Sequence, residues 1–191
     1  MVFALFLSLV GCKEYSKNQV PIIDTSDTEM LKEKYITPIV KSNVGSLGSW
    51  ENANDANPYW LLKFYQYSGN LYDYDSKGKH RTYYYNQEKV ENFIMKYFDV
   101  TSDPLKESDQ YDKDKNAYCL SGINGGEVPT KITGANQQED ILTINYEILD
   151  IKGEVSYICE INIKLIDKDN YKYMSFNTVN VNYEKAKKNR G

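Results

Sequence analysis

Five segments in the last third of the chain, 117–120, 128–133, 141–149, 156–166 and 171–182, are rich in β-branched and aromatic residues. That composition suits a pleated, half-buried surface. Alternation with a period of two is clear in Ile161-x-Ile163-x-Leu165 and in Val179-x-Val181-x-Tyr183, so one side of each strand is expected to face a core and the other solvent. The links Asp150-Ile151-Lys152-Gly153 and Asp167-Lys168-Asp169-Asn170 are short, and short turns join antiparallel neighbours. An antiparallel meander is therefore predicted to close the chain.

Upstream, the apolar period lengthens to that of helices. Over 28–42, Asp27 can cap the first turn, Glu29 lies near the positive end, and Met30, Leu31, Tyr35, Ile39 and Val40 keep helical spacing. Pro38 is expected to kink or end this helix. The stretch 43–57, with its glycine and serine pairs and the run ENANDAN, reads as a loop. Asn57 and Pro58 then suit the cap and first position of a second helix, PYWLLKFYQY, which Ser68-Gly69-Asn70 ends. A third helix is predicted over 87–98, capped by Asn86, with Glu88 and Glu91 near its positive end and an apolar stripe of Val90, Phe93, Ile94, Tyr97 and Phe98. Between the second and third, LYDYDSKGKHRTYYYNQ reads as a hairpin turning through Asp75-Ser76-Lys77-Gly78. Asp103-Pro104 marks a break. Helices first and strands after them predict an α+β fold, with two or three N-terminal helices packed on a curved antiparallel β-meander.

At 191 residues the chain is expected to form one domain, over 28–184. It holds 18 tyrosines, each a large ring whose hydroxyl needs a partner when buried. The formal net charge of −4 offers no field for nucleic acid. The basic run Lys185, Lys187, Lys188 and Arg190 reads as a solvated tail over 185–191. With His80 as the single histidine, a zinc site or a histidine-based triad has little to build on.

The sharpest compositional break is at the amino terminus, where the uncharged run MVFALFLSLVG meets Cys12 and then the polar stretch Lys13, Glu14, Ser16, Lys17, Asn18, Gln19. The run is about half the ~20 residues that a spanning helix needs, and its length fits the apolar region of an export signal. Leu9-Val10-Gly11-Cys12 resembles the lipobox of bacterial lipoproteins. That resemblance implies a signal peptide over 1–11, cleavage before Cys12, a diacylglyceryl group on the Cys12 thiol, and a polar tether over 12–27. A thiolate is a good alkylation nucleophile, and more than one acyl chain makes a durable anchor. No Lys or Arg precedes the run, unlike the usual positive start of export signals, so the signal is expected to begin upstream. The KYFDV ending at Val100, the tyrosine-rich hairpin and the closing meander look like a group of Gram-positive lipoproteins over residues 80–183. That likeness implies no activity.

Several short patterns invite a site. Asp73-x-Asp75-x-Lys77-Gly78 resembles the start of a calcium loop, but Tyr84 stands where that loop needs a glutamate, and a solvated turn is the stronger reading. Asp109, Asp112 and Asp114 lie among Lys113 and Lys115, which would neutralise them. Gly122-Ile123-Asn124-Gly125-Gly126 could offer amides to an anion, yet a strand follows where a helix should. Tyr83-Tyr84-Tyr85, Trp50, Tyr59 and Trp60 could stack on sugar rings or grip a peptide, against the plainer reading of alternating core and surface rings. Ser121-Gly122 lacks the first glycine of a nucleophile elbow. Cys119 and Cys159 could be a disulfide or two thiols, since a bridge needs Cα atoms about 4.4 to 6.8 Å apart and spacing along the chain does not decide it.

No catalytic residue, cofactor or metal site is predicted. The leading expectation is an extracytoplasmic lipoprotein on the outer face of the cytoplasmic membrane, held through lipid on Cys12, whose non-catalytic domain binds an envelope protein or a small ligand. An enzyme acting on glycan or peptidoglycan through paired carboxylates and a structural surface or coat component are the alternatives.

Overall fold

The computed structural model describes residues 20–42, 48–122 and 128–181. Cys12, the signal segment 1–11 and the tail 185–191 lie outside the described residues, as do positions 123–126 of the glycine-rich loop. The fold is α+β, with two antiparallel sheets. Four strands, β5 (Thr130–Gln138), β6 (Ile141–Leu149), β7 (Val155–Leu165) and β8 (Tyr171–Asn180), form the expected meander in sequential order. The other sheet has the order β1-β2-β4-β3, from β1 (Ser76–Lys77), β2 (Thr82–Asn86), β3 (Tyr111–Asp112) and β4 (Ala117–Ser121).

The second sheet corrects the expectation of a single meander. Segment 117–120 reads as a strand from its own residues, but it leaves the meander and pairs with β2, Tyr84 opposite Cys119 and Tyr85 opposite Tyr118. Periodicity reports that a strand has a buried face. It carries no information on which edge the strand will pair with. Strand β5 also runs beyond the predicted end at 133 through the polar stretch Asn136-Gln137-Gln138. Gln137 accepts from the Ile23 amide at 2.8 Å and donates to the Pro21 carbonyl at 2.9 Å, so residues Pro21 and Ile23 of the predicted tether are tied to this strand.

Asn57 and Asn86 cap their helices as their side-chain oxygens predict, accepting from the Tyr59 and Lys89 amides. They start α3 (Pro58–Tyr65) and α4 (Gln87–Tyr97). The first helical segment behaves differently at Pro38. Helix α1 (Thr28–Leu31) runs into a wider π-helical stretch, Lys32–Ile36, in which the Thr37 amide reaches the Lys32 carbonyl, and then into α2 (Thr37–Ser42). The proline therefore neither ends nor breaks the helix. A proline has no N–H for the carbonyl four residues back, here that of Lys34, and the Tyr171 hydroxyl donates to that oxygen at 3.0 Å. Tyr173 donates likewise to the Tyr35 carbonyl at 2.8 Å. The break at Asp103-Pro104 starts α5 (Asp103–Lys106), with the proline in its first turn.

One contiguous core joins helices and both sheets. Phe64 of α3 lies near its centre, with ring centroids 5.0 Å from Phe98, 5.6 Å from Tyr97, 5.8 Å from Tyr173 and 6.0 Å from Phe93. Trp50 closes part of the outer edge of β8 through two backbone hydrogen bonds with Phe176, both 2.8 Å, which blunts an edge that would otherwise offer free amides. Among the described residues no helix is long and apolar enough to cross a membrane.

Candidate functional site

The hairpin β1-β2, the chain after α3 and the end of β4 enclose a cleft of about 710 Å³. Its position follows from the turn. Ser76 pairs with Tyr84 and Lys77 with Tyr83, so the chain reverses over Lys79–Thr82, downstream of the predicted turn at 75–78. The Thr82 amide donates to the Lys79 carbonyl at 3.1 Å, and φ is +53° at His80 and +60° at Arg81. A four-residue turn with positive φ at both central positions matches the twist of a hairpin. Gly78 is required beside it, because a Cβ there would lie 2.3 Å from the Thr82 hydroxyl oxygen.

The turn delivers Lys77, His80 and Arg81 to one wall of the cleft, and no acidic side chain lines it among the described residues. Among the described residues neither His80 nor Arg81 has a side-chain hydrogen bond or ion pair, and Lys77 has only the Tyr74 ring, 5.9 Å from its ammonium. Aromatic faces supply the rest. Tyr74 and Tyr83 pack on each other at 4.7 Å, while Tyr72 stands 84 % exposed on the rim.

Beneath Ser121, which also lines the cleft, lies Lys63, only 5 % exposed. Its ammonium donates to the Ser121 carbonyl at 2.7 Å, to Gln66 Oε1 at 2.8 Å and to Ser121 Oγ at 3.1 Å. Burial disfavours the charged form and pulls its pKa down from 10.5 to about 8. At neutral pH the group is still protonated, and its three donors meet three neutral acceptors. Gln66 passes the network on to the Tyr85 hydroxyl, which donates to the Leu71 carbonyl. The network ties α3, β4 and the start of the hairpin segment together under the cleft. Ser121 and Lys63 are close enough to suggest nucleophile and base. The geometry is that of a clamp, since a base would need a free lone pair and every Lys63 proton is engaged. The neighbouring Gly122 amide is spent on the Arg81 carbonyl at 2.9 Å.

The remaining sequence candidates are dispersed. Asp73 is held by Lys89 at 3.1 Å and accepts from Tyr65, both of which keep its carboxyl below the usual carboxylate range. Asp112 pairs with Lys115 at 2.7 Å. Among the described residues no group of three acidic, cysteine or histidine side chains could hold a metal ion. Of the aromatic set, Tyr83 reaches the cleft, Tyr85 and Trp50 are core, Tyr84 lies under the Lys115 ammonium, and Tyr59 packs edge-on against Trp60. Cys119, half-buried in β4, and Cys159, buried in β7, are free thiols in different sheets. A smaller hollow of about 280 Å³ between α2 and the start of β5 has Lys32 and Lys41 but no aromatic wall. Sequence reasoning missed Tyr72 and Arg81 in the cleft, and beside it Lys63. A lone cation inside the apolar octapeptide PYWLLKFY is the signal that could have found Lys63.

Comparison of the chain with protein families, with curated proteins and with solved structures finds no match. The reading of the site therefore rests on its own geometry.

Proposed function

We propose that this chain is an extracytoplasmic lipoprotein, freed of residues 1–11 and held at the outer face of the cytoplasmic membrane by lipid on Cys12. Its domain acts as a non-catalytic binding module, and the cleft beside the β1-β2 hairpin takes a small ligand. In this reading the helices laid against the curved meander are scaffold, and the hairpin sheet carries the site. The observation that supports it best is the combination in one cleft of cations with no ion-pair partner among the described residues and an exposed tyrosine, beside a buried network in which Lys63, Gln66 and Tyr85 are already satisfied. Clefts with an aromatic lining and a few polar groups that lack internal partners are where small ligands bind.

The anchor and the module are tested separately. Cys12→Ala is expected to move the protein from the membrane fraction to the soluble fraction, and continued retention would contradict lipidation. For the module, ¹⁵N-labelled protein starting at residue 12 is titrated with pools of sugars, sugar phosphates and amino acids. A saturable shift at the Tyr83, Ser121 and Gly122 amides is expected. Turnover of a pool member by the same protein would overturn the non-catalytic reading.

A further inference from the structure

Resting on that reading of the cleft, we infer that its ligand is a phosphate monoester attached to a ring, with the phosphate held by Lys77 and Arg81 and the ring laid on Tyr72. The chain is acidic overall, at −4, yet the cleft wall gathers Lys77, His80 and Arg81 without a carboxylate among the described residues. Lys77 and Arg81 together match the two charges of a phosphate monoester, and a guanidinium can meet two of its oxygens at once. Asp73 is paired with Lys89, and Asp75 does not line the cleft.

Hairpin turns with positive φ at both central positions favour Asn-Gly or Asp-Gly, because glycine meets no steric penalty there and asparagine little. Here the two positions hold His80 and Arg81, at +53° and +60°. Both side chains branch from strained backbone, and neither recovers a hydrogen bond, ion pair or ring contact within the described residues. Local rules broken without an internal compensation are expected at functional sites.

The Tyr72 ring, 84 % exposed and with no ring partner among the described residues, contributes little to the core. Beside an oxyanion site it offers a flat face for the rest of the ligand. Leu71 next to it adds an apolar edge, and the Ser121 hydroxyl a polar one.

The test is a titration followed by NMR and by thermal melting, with glucose 6-phosphate, glucose and inorganic phosphate as probes, on the full chain from residue 12 and on two variants. H80N/R81G suits the turn better than the native pair, and K77Q removes the other cation. Glucose 6-phosphate is expected to shift the 80–83 and 121–122 amides saturably, and more tightly than either glucose or phosphate alone. Loss of a charge-assisted contact weakens binding by about tenfold or more, and both variants should show it. H80N/R81G should at the same time melt a few degrees above the native chain. Equal binding of glucose, unaffected by either variant, would overturn the phosphate assignment and leave the cleft as a binding site. Silence of the cleft amides with every probe would overturn both. A lower melting temperature for H80N/R81G would refute the claim that the turn keeps His80 and Arg81 against its own preference.

Discussion

Replacing Tyr171 with Phe probes how a proline survives inside the first helical segment. The Tyr171 ring is buried and packs edge-on against Tyr35 at 4.9 Å, so removing only the hydroxyl leaves that packing in place. What is lost is the 3.0 Å hydrogen bond to the Lys34 carbonyl, worth about 1 kcal/mol net, and a longer 3.5 Å contact with the Tyr173 hydroxyl. In a domain of this size that lowers the melting temperature by about 2–4 °C. The informative measurement is the double-mutant cycle with Pro38→Ala. Alanine restores an amide four residues beyond Lys34, and that amide can take over the same carbonyl. The cost of Tyr171→Phe should then shrink, giving a coupling of about 0.5–1 kcal/mol between two residues 133 positions apart. Urea unfolding of the four proteins supplies the free energies. Additivity within about 0.3 kcal/mol would refute the idea that the tyrosine hydroxyl serves the carbonyl freed by the proline.

Phe64→Ala removes a ring with four aromatic neighbours at 5.0 to 6.0 Å and should cost about 3–5 kcal/mol, read as a fall in the urea midpoint with the slope unchanged. A cost below about 1 kcal/mol would mean that the core there is not closely packed. Lys63 gives a pH signature. Its folded-state pKa, near 8, lies below its usual 10.5, so between those values the unfolded chain binds the extra proton and stability rises with pH. The comparison of native protein with Lys63→Met between pH 7 and 10 should show that rise only in the native protein. Parallel curves would show that Lys63 is not desolvated.

How much of this was legible in the sequence depends on the range of the signal. Asn57 and Asn86 cap helices through bonds to amides two or three residues away, and such signals lie within a single turn of chain. The four meander strands were legible for the same reason: alternation marks a buried face, and short turns force neighbours to be antiparallel. The polar end of β5 was not legible, because Asn136, Gln137 and Gln138 become strand only through β6.

The α+β character, the helix starts and the meander were therefore determined by local chemistry along the chain. The tertiary structure alone decided that 117–121 would pair with β2, that Pro38 could stay within a helix, that Tyr72, Arg81 and Ser121 would meet around one cleft, and that Lys63 would bond to Ser121. Each of those outcomes needs a group supplied from a distant part of the chain: a strand edge, a hydroxyl or a buried carbonyl. Local sequence specifies which groups lack partners, and only the fold brings the partners to them.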